Sequence, residues 1–213
     1  MSLKKKILTA VFVPLFFITC QNEQMLFDQS KLNTKNAYLI FRGTNTKEGF
    51  FARDFNIKDT LSSHVGIAIY NEKAWSVYHV LENKNATTDF NKDDFKYFLS
   101  KEHDEVFYYS LCELTTLADY KIDTLKNILN QYESKQVVFD RSFSKDSKKL
   151  YCSEFVCEVL STVDSNVYNF EYYKRELKGI YKTYFNKDTL EYYPVDMFKY
   201  NKNFNRVYEW IGK

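Results

Sequence analysis

The sequence predicts a mixed α+β domain, and three observations support this fold class. Short runs rich in β-branched and aromatic residues, typical of strands, recur between residues 38 and 111. Apolar residues at helical spacing follow, over residues 117–133 and 155–163. The chain of 213 residues is long enough to bury a hydrophobic core, and it shows no internal repeat.

Four strands are predicted ahead of the first long helix. They cover residues 38–42, 64–70, 75–82 and 105–111. Asn71, Glu72 and Lys73 form a turn signal between the second and third strands, so these two strands should pair as a hairpin. Residues 43–63 are polar and irregular, and residues 93–100 predict a short helix.

Two longer helices follow. An apolar stripe that begins at Leu117 predicts a helix ending near Glu133. Residues 137–139 are a candidate strand, and the helix over residues 155–163 should begin close to Cys152. Near the end of the chain, Pro194 suits the first position of a last helix, where its missing N–H costs nothing.

The charge balance is nearly neutral. Lys and Arg total 30 against 28 Asp and Glu, a formal net charge of +2. Three of the lysines lie within residues 1–19, so the remainder carries 27 − 28 = −1. This balance gives no electrostatic basis for binding nucleic acid, and we predict none.

The start of the chain predicts export. Lys4, Lys5 and Lys6 precede an uncharged, mostly apolar run over residues 7–19, which is shorter than the roughly 20 residues that a membrane-spanning helix needs. The run ends at Cys20 and resembles a bacterial lipoprotein signal peptide, which implies a lipid on Cys20. We therefore expect a signal peptide over residues 1–19, a polar tether over residues 20–36, a domain over residues 37–213, and a lipid-anchored protein of the bacterial cell envelope, on the periplasmic side or at the cell surface.

The cysteines are Cys20, Cys112, Cys152 and Cys157. If Cys20 carries lipid, the other three allow at most one disulfide, and pairing of Cys112 with Cys157 stays open. No C-x-x-C pair and no His/Cys cluster with zinc spacing is present. We predict neither a metal nor a cofactor.

Cys152 is the candidate nucleophile. A helix start favours the thiolate through its unpaired N–H groups and its dipole, and Cys152 shares a helix face with Val156 and Val159. The simpler alternative is a buried structural thiol. His64, which opens a predicted strand, is the candidate base, whereas His103 lies in a polar loop.

A third group should orient the imidazole of His64. A five-residue hairpin loop over residues 71–75 would pair residue 64 with Glu82 and send His79 to the opposite face of the sheet. A two-residue loop at Asn71 and Glu72 would instead pair residue 64 with His79, but that sequence lacks the preferred Asn-Gly or Asp-Gly. Glu82 is therefore the first choice, His79 the second and Asn83 the third.

Three motifs carry a family resemblance: Ser63-His64-Val65-Gly66-Ile67, Val80-Leu81-Glu82 and Leu150-Tyr151-Cys152-Ser153-Glu154-Phe155-Val156. In this order they resemble the permuted papain-like amidases of the YiiX branch, which are related to NlpC-type cell-wall peptidases. The segments over residues 38–42, 139–143 and 194–197 add to the match, which spans residues 36–210. Tyr38 stands where the family has Asp. The resemblance implies a circularly permuted papain-like fold, with an antiparallel sheet packed on the helix that bears the catalytic Cys.

The resemblance also implies a function. Cys152 would attack an amide or ester carbonyl, His64 would act as base and then as acid, and Glu82 would orient His64. Backbone N–H groups near Cys152 would bind the oxyanion, with Tyr151 and Ser153 as supporting candidates. We expect a monomeric cysteine hydrolase that acts on a peptide or a cell-wall peptide.

Two alternatives remain open. The same residues could serve a lipid ester hydrolase or an acyltransferase, for which an apolar tunnel would be the sign, whereas an acidic or Arg-lined groove would suit a peptide. A non-catalytic lipoprotein could instead bind glycan or peptide through aromatic residues. Its platform would be Tyr172, Tyr173, Tyr181, Tyr184, Phe185, Tyr192 and Tyr193.

Overall fold

The computed structural model describes residues 27–99, 106–117, 119–145 and 147–212. Its main sheet has six strands, which are β1 (Tyr38–Thr44), β2 (His64–Asn71), β3 (Ala74–Val80), β4 (Phe90–Asp93), β5 (Val106–Leu114) and β8 (Phe204–Ile211). A separate pair is formed by β6 (Tyr173–Glu176) and β7 (Thr189–Tyr192). The helices are α1 (Lys47–Asp54), α2 (Phe95–Leu99), α3 (Asp119–Glu133), α4 (Cys152–Val163) and α5 (Gly179–Phe185), with 3₁₀ helices at Gln29–Lys31 and Val195–Tyr200.

The six strands are ordered β4-β3-β2-β1-β5-β8, and each neighbouring pair is antiparallel. The sheet is covered on both faces. Alternate residues of β1 and β2, such as Leu39 and Val65, pack against α3 and α4, whereas Ile40 and Ala68 pack on the other face with α2. The predicted mixed α+β class, with an antiparallel sheet packed on helices, is therefore confirmed.

The β2–β3 hairpin differs from the predicted one. Asn71 pairs with Ala74, so the loop contains two residues rather than five, and Ile67 pairs with Tyr78. Glu72 takes a left-handed conformation with φ of 49°. A positive φ is what tight two-residue hairpin loops require, and Glu72 provides it without an adjacent glycine. If this register is extended to the start of β2, residue 64 lies opposite residue 81, and not opposite residue 82 or residue 79.

Several elements were not predicted. Residues 43–63 contain α1, the region after residue 168 contains β6, α5 and β7, and β8 lies close to the end of the chain. The candidate strand over residues 137–139 forms only an isolated bridge between Phe139 and Leu150. Pro194 caps the 3₁₀ helix at Val195–Tyr200 instead of opening an α-helix.

The described part of the expected tether belongs to the domain. Leu32 is buried, and the ring of Phe27 lies 4.4 Å from that of Tyr208 on β8. The amide N–H of Asn33 donates a hydrogen bond to the hydroxyl of Tyr38. Phe27 and Leu32 thus pack against the domain, while most of residues 27–36 are exposed. The predicted signal peptide and Cys20 lie outside the described residues, as does His103.

No helix in the described ranges is long and apolar enough to cross a membrane.

Candidate active site

Cys152 and His64 line one cleft of about 1340 Å³. The N-terminus of α4 supplies Cys152, and the first residue of β2 supplies His64. Helix α4 packs directly on β2, which brings these two chain segments together. The cleft is completed by α1, by the β6–α5–β7 unit and by the segment before the last 3₁₀ helix.

Cys152 is the first residue of α4, as the apolar stripe predicts, and it belongs to the core cluster on the α4 side of the sheet. Burial raises the pKa of its thiol to about 11. The backbone N–H groups of Val65 and Ser153 oppose this shift by hydrogen bonding to the sulfur. The sulfur therefore lies against the residue that follows His64, and a thiolate there would need a base to take its proton.

The imidazole of His64 belongs to a chain of buried polar groups. Its Nε2 lies 2.9 Å from Nδ1 of His79, and Nε2 of His79 lies 2.9 Å from Oδ2 of Asp93. His79 is fully buried, and the side chain of Asp93 is 10% exposed. The ring of Phe98 covers both imidazoles, with centroid distances of 5.7 Å to His64 and 5.0 Å to His79. The arrangement holds His64 in one orientation, away from bulk water.

The hairpin register explains why the two histidines meet. His64 and His79 lie diagonally across β2 and β3 on the same face of the sheet, with Gly66 between them. A Cβ at Gly66 would lie 3.1 Å from Cβ of His79 and 3.0 Å from the carbonyl oxygen of Tyr78. Glycine therefore allows β2 and β3 to approach each other closely beside the two histidines. Asp93 reaches His79 from β4, which pairs with β3.

Glu82 does not have the predicted position. It lies beyond the end of β3, and its carboxylate accepts hydrogen bonds from Arg141, one of them 3.0 Å long from Nε. The expected contact between Glu82 and His64 is therefore wrong, because the shorter hairpin loop shifts the register by one residue. His79, the second choice, occupies that place. Asn83 lies in a turn, where its amide N–H donates to Asp89.

Tyr151 and Ser153 tie the start of α4 to its neighbour. The hydroxyl of Tyr151 accepts a hydrogen bond from the amide N–H of Tyr193, and the hydroxyl of Ser153 donates to the carbonyl oxygen of Tyr193, at 2.8 and 2.6 Å. Both side chains are thus engaged with backbone. The backbone N–H groups around Cys152 are the better candidates for binding an oxyanion.

Cys112, Cys152 and Cys157 are all buried free thiols, so Cys112 and Cys157 do not pair. Across the described ranges, no group of three or more His, Cys, Asp or Glu side chains could hold a metal ion.

The part of the cleft lining around α5 is largely aromatic and aliphatic. Its side chains are Phe51, Phe55, Phe143, Ile180, Tyr181, Tyr184, Leu190 and Tyr192. Four of the seven aromatic residues proposed as a binding platform line the cleft, namely Tyr181, Tyr184, Tyr192 and Tyr193. The rim has mixed charge, with Lys47, Lys84, Lys96 and Arg141 beside Glu48, Glu82 and Asp94.

Sequence reasoning did not identify Asp93, Arg42 or Asp196. Arg42 pairs with His64 across β1 and β2, and its Nη1 donates to the carbonyl oxygen of Phe98. Asp196 is buried and accepts hydrogen bonds from three successive backbone N–H groups, over residues 57–59, in the loop that leads to β2. An acid in the first turn after Pro194 was noticeable in the sequence, but nothing indicated its partners.

No protein-family model matches the chain, and no curated protein matches it. Its structure is similar to the crystal structure of the metalloprotein YiiX from Escherichia coli O157:H7, a DUF1105 protein, with a TM-score of 0.60 and 17% sequence identity. The match covers 82% of this chain and 96% of that chain. At this level of identity the similarity concerns the fold, and this chain has a YiiX-like fold.

Proposed function

We propose that this protein is a thiol hydrolase with a circularly permuted papain-like arrangement, which cleaves an amide bond in a peptide or a cell-wall peptide. The observation that carries the proposal is the shared cleft of Cys152 and His64, in which Cys152 begins a helix and His64 is held by His79. The order along the chain, His before Cys, is the permuted one. The Ser63-His64-Val65-Gly66-Ile67 and Tyr151-Cys152-Ser153-Glu154 motifs support the same assignment.

The reaction would begin with transfer of the thiol proton from Cys152 to His64. The sulfur then attacks the carbonyl carbon, a C–S bond forms, and the oxygen takes the negative charge. When the C=O bond re-forms, the C–N bond breaks and the amine leaves with the proton from His64. Water then attacks the thioester while His64 takes its proton. The C–S bond breaks, the acid is released, and the proton returns to Cys152.

Two features of the described residues bear on this sequence of steps. Burial raises the pKa of the Cys152 thiol, which outweighs the favourable effect expected of a helix start, so the proposed steps require a base to take its proton. Backbone N–H groups at the start of α4 would be the donors to the carbonyl oxygen as it gains negative charge.

A lipid acyl ester is the second candidate substrate, and the aromatic wall of the cleft favours it. Ile180 and Tyr184 are one helical turn apart on α5 and are exposed at 76% and 60%. An acyl chain could pack against these side chains, whereas the mixed charges of the rim suit a peptide. The same Cys152 chemistry serves either bond. A non-catalytic binding protein would use the aromatic wall without the thiol.

We also propose that the protein acts at the bacterial cell envelope, anchored through lipid on Cys20. An anchored enzyme would meet peptidoglycan or membrane lipid at high local concentration.

An activity-based thiol probe tests the proposal on the purified protein. We expect labelling at Cys152 that is lost in Cys152→Ala and His64→Ala and kept in Cys112→Ala, which removes another buried thiol. Incubation with peptidoglycan, peptides and phospholipid vesicles then identifies the bond that is cleaved. Full activity of Cys152→Ala on the substrate found would refute the thiol mechanism, and unlabelled Cys152 with intact ligand binding would favour the binding protein.

A further inference from the structure

We propose that Asp93 is a positioning residue, which acts through His79 to fix the proton of His64 on Nε2 and so leaves the lone pair of His64 on Nδ1. The geometric basis is the chain of hydrogen bonds from His64 through His79 to Asp93. The consequence for catalysis rests on the proposed thiol chemistry.

The direction of the hydrogen bonds follows from what each group can donate. An ionised carboxylate only accepts, so Nε2 of His79 must carry a hydrogen and donate it to Asp93. If His79 is neutral, its Nδ1 is then an acceptor. Because that atom lies 2.9 Å from Nε2 of His64, the hydrogen of this second bond belongs to His64. A neutral His64 that is protonated at Nε2 has its lone pair at Nδ1.

The surroundings keep this chain intact. His79 is fully buried, Asp93 is nearly so, and the ring of Phe98 lies over both imidazoles. Asp93 is the last residue of β4 and pairs with Val77, so its side chain rises from the same face of the sheet as that of His79. Hydrogen bonds in such an environment are stronger than in water, and exchange between tautomers is restricted.

The arrangement also has an electrostatic consequence. When Nδ1 of His64 takes the thiol proton, the ring becomes an imidazolium and its Nε2–H bond to His79 strengthens. The negative charge of Asp93 is then aligned with that cation through a polarisable ring. Orienting groups of this kind hold the imidazole in the productive tautomer in other catalytic triads.

One competing arrangement would leave the site without a base. If His79 carried hydrogens on both nitrogens and formed an ion pair with Asp93, it would donate to Nε2 of His64. His64 would then be protonated at Nδ1 and could not accept the thiol proton. The two arrangements differ in the protonation of three ring nitrogens, Nδ1 of His79 and both nitrogens of His64, which nitrogen NMR of the imidazoles distinguishes.

The test is two-bond ¹H–¹⁵N correlation NMR on the whole protein labelled at histidine, with His64→Gln and His79→Gln used to assign the signals. We expect the Nε2–H tautomer for both His64 and His79 in the wild-type protein. In Asp93→Asn the carboxamide can donate to His79, so we expect His79, and with it His64, to leave that tautomer. We also expect alkylation of Cys152 by iodoacetamide at neutral pH to slow by about 10-fold, less than direct loss of a general base would cause.

Asp94→Asn is the matched control. This variant also removes one negative charge, at the next residue of the chain. The carboxylate of Asp94 accepts a hydrogen bond from the backbone N–H of Tyr97 and not from a histidine. Unchanged tautomers in this variant would support the proposal. A doubly protonated His79 in the wild-type protein, or unchanged tautomers in a folded Asp93→Asn protein, would overturn it. If the tautomers are as expected but Cys152 of the wild-type protein does not react, the proposed function fails and the role of Asp93 in His64 tautomer choice stands.

Discussion

Gly66 lies at a close approach of β2 and β3, directly beside the two histidines. Any Cβ at this position would press on the backbone of Tyr78 and on Cβ of His79. We expect Gly66→Ala to lower the free energy of unfolding by about 1–3 kcal/mol, the usual range for overpacking a buried site. Urea denaturation would measure this loss.

The same substitution should also disturb His64. Because the added methyl group forces β3 or the ring of His79 to move, alkylation of Cys152 should slow even where the protein remains folded. Ser76→Ala, on the same hairpin but remote from the histidines, should leave the alkylation rate unchanged. A Gly66→Ala protein with full stability and an unchanged rate would contradict the packing account.

The sequence was informative about single residues to different extents. Cys152 could be placed at a helix start because Val156 and Val159 continue its face, and that prediction is confirmed. The partner of His64 could not be placed, since it depends on whether the hairpin loop has two residues or five. The left-handed backbone of Glu72 decides this, and such a conformation at a non-glycine residue has no clear sequence signal.

At the scale of elements, the N-terminus of α4 contains an unusual acid. Burial and the nearby charge of Asp140 raise the pKa of Glu154 to about 8, although the amide N–H of Tyr151 bonds to it. Its Oε2 is buried and has no hydrogen-bond partner within the described ranges. Because the pKa is raised in the folded state, Glu154 favours folding below about pH 4.5, and this contribution is lost as the pH rises to about 8.

We therefore expect Glu154→Gln to change the pH dependence of stability. The variant should match the wild-type protein at pH 4 and should be more stable by about 1–3 kcal/mol at pH 8, because an amide has no ionised form to desolvate. Urea denaturation at the two pH values measures the difference. Equal pH dependence in the two proteins would show that Glu154 ionises without cost.

The loop before β2 gives the next prediction. Asp196 accepts three backbone hydrogen bonds of 2.8–2.9 Å from residues 57–59, which fixes the chain just ahead of Ser62, Ser63 and His64. We expect Asp196→Ala to lower the free energy of unfolding by about 2–4 kcal/mol, since three buried N–H groups would lose their acceptor. Asp196→Asn, which keeps one acceptor oxygen, should lose less in the same denaturation experiment. A loss below about 0.5 kcal/mol in the alanine variant would show that the loop does not need this anchor.

The elements that the sequence predicted well are those with one strongly apolar face. Helix α4 and strands β2 and β3 are in this group, because most of their residues are buried. Helix α5 has no buried residue, and β8 is an edge strand that is largely exposed. Neither element therefore shows a clear periodic pattern of apolar residues in the sequence. Their positions are set by contacts across the fold, such as the packing of α5 rings on Phe51 and Phe55.

At the scale of the whole molecule, the fold class followed from the order of the elements, and the chain has a YiiX-like fold. The cleft could not be foreseen in the same way. It forms where α1, α4 and the β6–α5–β7 unit meet, and two of these three parts have no strong sequence pattern. Part of its aromatic wall was among the aromatic residues singled out in the sequence, but its place in one cleft with Cys152 and His64 appeared only in the structure.

The proposed membrane attachment concerns the chain as a whole. We expect Cys20→Ala to shift the protein from the membrane fraction to the soluble fraction, because lipid on this residue is the proposed anchor. Fractionation followed by mass spectrometry of the N-terminal peptide measures both location and lipid. The matched control is Cys112→Ala, which should remain at the membrane. A Cys20→Ala protein that stays in the membrane with its first residues intact would indicate a signal anchor.

The central claim is that His64 activates a buried thiol, and the pH dependence of Cys152 alkylation tests it most directly. Peptide mapping by mass spectrometry separates Cys152 from the other cysteines, and iodoacetamide requires no knowledge of the substrate. In the wild-type protein we expect alkylation at neutral pH to be faster than a thiol with a pKa of about 11 would allow by itself, because His64 takes the proton. In His64→Ala we expect a rate about 100-fold lower at pH 7, because no imidazole takes the thiol proton. Superimposable profiles for the two proteins would contradict the account.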